Sequence, residues 1–163
     1  MNATIENSII ECIVARLRAI TQANDYAFDM LDVIRPDALG KNFTVQDKLI
    51  LVEMSANARF PSQDRPGNPP AIAYEMVIES RMVLRHGERE IDVNSSEALY
   101  AAAAMKKAIT ANSHWWQMNN NAFNANIGET APFVIESGNV IGVMVPTTVW
   151  YRVSENNPFV SRS

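Results

Sequence analysis

Between residues 4 and 23 the apolar positions Ile5, Ile9, Ile13, Leu17 and Ile20 recur at steps of three and four. That spacing is one stripe of an amphipathic α-helix. Arg16 and Arg18 stand toward its C-terminal end, where the helix dipole favours cations. The period then shortens. Tyr26, Phe28 and Met30 alternate ahead of Val33, which predicts a strand ended by Arg35-Pro36. After the loop DALGKNFTVQD, the stretch KLILVEMSANARF predicts a second strand. Leu49 and Leu51 take one of its faces, and Ile50, Val52 and Met54 the other.

FPSQDRPGNPP carries four of the eight prolines and one of the six glycines, so it reads as an exposed loop that cannot enter a sheet interior. AIAYEMVIESRMVLR then gives a long strand with Ile72, Tyr74, Met76 and Ile78 on one face. Glu75, Glu79 and Arg81 interrupt the other face. At roughly 3.3 Å per residue such a strand spans ~45 Å, beyond the usual length. Its far end is expected either to project as a hairpin arm or to be divided by a bulge, with the turn at His86-Gly87-Glu88.

Asn94-Ser95-Ser96-Glu97 supplies a capping side chain and a carboxylate for a second helix, running to about residue 111. Its run Ala101 to Ala104 has high helix propensity and a thin profile. Leu99, Ala102, Met105 and Ile109 are expected to press on a sheet. SHWWQMNNNAFNANIGETA connects to a closing hairpin, APFVIE and VIGVMVPTTVWYRV, turning at Ser137-Gly138-Asn139. Pro146 suggests an edge or a bulge in the last strand. The expected fold is α+β, a mostly antiparallel sheet with two main helices packed on one face. Residues 1–163 form one domain, with a projecting loop or hairpin region at about 59–90 and a C-terminal tail at 154–163. No internal repeat or low-complexity tract is present.

Composition narrows the class. The 163 residues are 47% hydrophobic and 20% charged, the ordinary balance of a globular chain. The net charge of −4 and the lack of a basic run argue against a dedicated nucleic-acid-binding domain. No stretch of about 18 apolar residues would span a membrane. The N-terminus lacks a basic leader, and Glu6, Glu11 and Arg16 interrupt its apolar residues, so it reads as a helix and not a signal peptide. Cys12 is the one cysteine and cannot close an internal disulfide; among Ile9, Ile13 and Val14 it reads as a small buried apolar residue. The sequons at Asn2, Asn42 and Asn94 carry no weight without a secretory signal. Folding in a cytoplasm is the expectation.

Catalytic patterns are missing. His86 and His114 have no Cys, Asp or Glu partner at metal-ligand spacing. There is no G-x-S-x-G elbow, Walker loop or G-x-G-x-x-G. On a strand Asp25 and Asp29 would share one face and Asp32 the other, which is no metal cage. Glu75 and Glu79 share a strand face, but nothing marks a cleft between them. One of Trp115 and Trp116 is expected to anchor the helix-to-sheet connection, leaving the second for a partner. Asn119, Asn120, Asn121 and Asn124 suggest turns and caps, and the eight methionines suggest core filling. No catalytic residue, metal or cofactor is expected.

What remains suits assembly. Edge strands can recruit another chain by strand addition, and a ring of identical subunits closes those edges on each other. The C-terminal Asn157, Pro158 and Phe159 either fold back on the domain or anchor in a neighbour, with Pro158 limiting the entropy lost on docking.

Four segments carry a family resemblance: IIECIVARLRAI, GNPPAIAYEMVIE after the Pro/Gly loop, SEALYAAAAMKKAI, and VPTTVWYRVSENNPF. Together they resemble the tail terminator proteins of long-tailed bacteriophages, a family similar to the lambda tail terminator. The ending Tyr151-Arg152 followed by Asn157-Pro158-Phe159 is part of the likeness; Trp115-Trp116 and the asparagines are not. The resemblance implies a hexameric ring that caps the tail tube, stops its polymerisation and offers a surface to the head-side connector. Its partners would be further copies of itself, the tail tube protein and the connector or stopper. DNA would pass through the lumen without sequence-specific binding, and no membrane is involved. Virion tail or neck is the implied location. Expected interface residues are Arg59, Pro61, Arg65 and Pro69 of the Pro-rich loop region, His86, Trp116, and Asn157, Pro158 and Phe159. Another head–tail joining protein, a stopper or neck component, would share these features. A rival of another class is a small enzyme or ligand-binding domain with Trp115 or Trp116 as a pocket wall and Glu75 or His114 as its polar groups.

Overall fold

The structure is a computed structural model that describes residues 3–36, 44–86, 95–135 and 140–161. Among the described residues the chain order is α1 (Ile5–Leu17), β1 (Asp32–Ile34), β2 (Leu49–Arg59), β3 (Ala71–His86), α2 (Ser96–Ile109), β4 (Asn124–Ile127), β5 (Ala131–Ile135), β6 (Val140–Ser154) and β7 (Asn157–Ser161). The fold is α+β. Its single mixed sheet of seven strands is antiparallel except where β1 runs parallel to β2. The path across it is β1-β2-β3-β6-β4, and β5 and β7 also pair with β6.

β6 organises this sheet. Along one edge it pairs with β3, from Ala71 opposite Ser154 to His86 opposite Val140. Along its other edge it receives β5 against Val140–Met144, β4 against Thr147–Trp150, and β7 near Val153 and Ser154. Pro146 therefore lies in the most paired strand, not at a sheet edge. Its carbonyl accepts from Gly128 N at 2.9 Å, so its edge without an N–H faces the break between β4 and β5. No ladder bond is lost there.

Strand periodicity explains the core. Ile50 and Val52 of β2, Met76 and Ile78 of β3, and Val143, Val145, Val149 and Tyr151 of β6 are buried on one face. α1 and α2 cover that face. α1 contributes Ile5, Ile9, Ile13 and Leu17, and its Thr4 cap accepts from Asn7 N at 3.2 Å. α2 contributes Ala98, Ala101, Ala102, Met105, Ala108 and Ile109; its small residues let it lie close to the sheet. Ser95 caps α2, accepting from Ala98 N. Arg16 ties the helices together by donating to the carbonyls of Ile109 and Trp115, both at 2.9 Å. On the opposite face Leu49, Leu51 and Val83 form a small second cluster with Ile34, Val45 and Phe133.

Several expectations need correction. α1 ends at Leu17, not near residue 23. Residues 26–30 are not a strand; β1 is only Asp32–Ile34, because a parallel partner is available only from Leu49 to Leu51. Leu99 faces solvent, 55% exposed, since α2 turns its alanines and Met105 to the sheet. His86 is the last residue of β3, paired with Val140. Of the two expectations for so long a strand, the bulge is the one present: the register shifts between Val83 and Arg85 while β3 stays paired with β6. Gly87, Glu88 and the turn at 137–139 lie outside the described residues. β4 and β7 were not expected as strands.

Candidate functional site

Two segments singled out from sequence meet at one end of the sheet. The chain leaves β2 at Arg59, makes a 3-10 turn at Pro61–Gln63, bridges Arg65 to Ala71 and enters β3. Pro69 follows a cis Asn68–Pro69 bond in this loop. Asp64 holds the loop shut: it accepts from Arg59 Nη2 and from Ala73 N, both at 2.7 Å. Those bonds, the Arg59 contact foremost, keep its carboxyl below the ordinary range. Across from the loop, β6 turns at Glu155-Asn156 and returns as β7. Glu155 N donates to Pro70 O at 3.0 Å, and Arg152 Nε donates to Gln63 O at 2.8 Å.

The C-terminal segment thus folds back through its backbone, while the Phe159 side chain stays 45% exposed. Asn157 Oδ1 accepts from Phe159 N at 3.1 Å and fixes this return. Pro158 is exposed beside it. His86 is not part of this end. It lies at the other end of the 16-residue β3 from Ala71, roughly 50 Å away at the strand rise.

Trp116 is also elsewhere. Trp115 and Trp116 form a 3-10 turn after α2, and both pack, half-buried, against the main core. His114 meets Trp116 edge-on at 6.3 Å. The turn places both rings against the core and leaves each part-exposed, so neither is singled out as the anchor of the helix-to-sheet connection. The asparagines after them do serve turns, with Asn119 and Asn120 at positive φ.

The sheet face away from the helices carries the remaining polar chemistry. Arg81 bonds Glu53 at 2.6 Å and also Glu79. Four residues along β3, Glu75 Oε2 accepts from Trp150 Nε1 at 2.8 Å. Glu75, Trp150 and Asn124 are adjacent in one cross-strand row, with Ala58 on the β2 side. They line an open hollow of ≈ 400 Å³ together with Phe60, Gln63 and Phe123. Arg152 lies 3.7 Å over the Phe123 ring. The pocket imagined from sequence is therefore split: Glu75 sits with Trp150, and neither Trp115, Trp116 nor His114 lines that hollow. Sequence reading missed Trp150 and Phe123 because only the register of β3, β6 and β4 brings them to Glu75.

Elsewhere, Asp29 accepts from Gln22 N, Asp32 accepts from its neighbour Val33 N, and Asp25 adopts a left-handed turn conformation. Among the described residues no group of three His, Cys, Asp or Glu could hold a metal ion. Cys12 is buried, which pushes its thiol above the ordinary value and away from nucleophilic use. Among the described residues no helix is long and apolar enough to cross a membrane. The chain matches no protein-family model, and no curated protein is similar to it at a significant level.

Proposed function

We propose that this chain is a structural subunit of a phage tail, a terminator that closes the tail tube as a ring of identical copies. The observation that carries this reading is the uncovered edge of β2. β1 pairs only with Leu49–Leu51. From Val52 to Arg59, β2 has β3 on one side and no described strand on the other. Met54 to Arg59 are exposed, and the run MSANA in it holds no charge and no proline. Such an edge is a template for strand addition unless something covers it. The Pro61–Pro70 loop continues from that edge, and the exposed Phe159, on β7 at the far side of β6, offers a second anchor for a neighbour.

In this role the subunit contacts further copies, the tail tube protein and the head-side connector, and it works without catalysis. The net charge of −4 suits a lumen wall that lets DNA pass by repelling phosphate. Virion tail or neck is the proposed location. A stopper or other neck protein would use the same surfaces and differs by its place on the particle.

Light scattering and negative-stain imaging of the concentrated protein, alone and with purified tail tubes, test this. Closed rings, free or seated on tube ends, are expected. A monomer that leaves tube ends bare and tube growth unchecked would overturn the proposal.

A further inference from the structure

The bare sheet face holds three glutamates along β2 and β3, and their partners differ. Glu53 and Glu79 share Arg81. Glu75 has no cation within ion-pair distance among the described residues; its bond is from the Trp150 indole to Oε2, which leaves Oε1 open. Arg152, on the neighbouring strand β6, is engaged with Gln63 O and the Phe123 ring. A carboxylate at the wall of a half-aromatic hollow, with no ion-pair partner among the described residues, has an oxygen left to accept a charge-assisted bond.

We infer that this hollow receives the guanidinium of an arginine side chain presented by a protein partner. The chemistry fits that group better than an ammonium. A guanidinium is planar, so it can lie against the Trp150 or Phe60 ring and still bond Glu75 Oε1 in its plane. The side-chain amide of Gln63, also in the lining, supplies a further acceptor. Access is from the sheet edge: Ala58, the row neighbour of Glu75 on β2, offers only a methyl and is exposed. A long side chain from a strand or loop beside β2 can therefore cross it. The inference stands whether or not the chain forms rings, because it concerns one side chain in one subunit.

The probe is N-acetyl-arginine amide, titrated into the whole protein. The readout is the indole N–H resonance of Trp150, one of three such signals. A saturable shift with a millimolar midpoint is expected, since one charge-assisted contact and one ring contact are formed. Glu75→Gln should weaken it at least about tenfold. Glu79→Gln should leave it unchanged, because Glu79 belongs to Arg81. The neutral isostere N-acetyl-citrulline amide should give no saturable shift on the wild-type protein, a control that holds even if Glu75→Gln fails to fold. A flat wild-type titration, or an equal response to citrulline, would overturn the inference.

Discussion

The Tyr151 hydroxyl donates to Glu6 Oε1 at 2.9 Å and accepts from Asn57 Nδ2 at 2.9 Å. One phenol thus joins the central strand β6 to the first turn of α1 and to the exposed half of β2. Its ring stacks on Tyr74 at 5.5 Å, and no part of it reaches solvent. This is the point where the first helix, the hub strand and the uncovered edge are locked to one another.

Tyr151→Phe keeps the ring and removes both bonds. It leaves the Glu6 carboxylate and Asn57 amide without that partner. A loss of about 1–3 kcal/mol in unfolding free energy is expected. Urea unfolding at neutral pH measures it, and an unchanged midpoint would refute this role for the hydroxyl.

The same phenol predicts alkaline behaviour. Burial, with Glu6 beside it, pushes Tyr151 far above the ordinary tyrosine range. The folded form keeps its proton while the unfolded chain ionises near pH ~10. Its contribution is therefore complete below about pH 10 and is lost as pH rises, at up to ~1.4 kcal/mol per unit. Cys12, also raised by burial, acts with the same sign from a lower starting point. Unfolding free energies from pH 8 to about 11 should fall steeply for wild type and less steeply for Tyr151→Phe.

Gly142 sits opposite Val83, beside the register shift of β3. A Cβ there would run into the Met82 carbonyl and the Phe133 ring. The backbone carbonyl cannot swing aside as a flexible side chain would. Gly142→Ala should cost about 1–3 kcal/mol and lower the thermal midpoint by several degrees, read by calorimetry.

Phe159 separates folding from assembly. Its backbone belongs to β7, so deleting residues 157–163 would remove a strand and confuse the two effects. Its side chain is exposed, so Phe159→Ala should change stability by less than about 0.5 kcal/mol. Ring formation or tube capping should nevertheless fail in that variant. Normal assembly by Phe159→Ala, seen in negative stain, would remove Phe159 from the interface.

Local pattern alone determined a good deal of this protein. The stripe Ile5-Ile9-Ile13-Leu17, the Ser95 cap, the alternation in β2 and β3 and the closing β5–β6 hairpin carry local signals that specify helix or strand without knowing the neighbours. The α+β class follows from those elements. What needed the tertiary structure was everything set by partners distant in sequence. Residues 26–30 alternate like a strand but find no ladder. Asn124–Ile127 looks like a polar loop yet pairs with β6, because half of that edge is vacant beyond Pro146. Phe159 belongs to a strand whose backbone bonds decide its place before its side chain does. The Glu75–Trp150 pair joins residues 75 positions apart, through a register that no local rule sets. Periodicity fixes which face a side chain takes; only the pairing of strands decides which side chains share it.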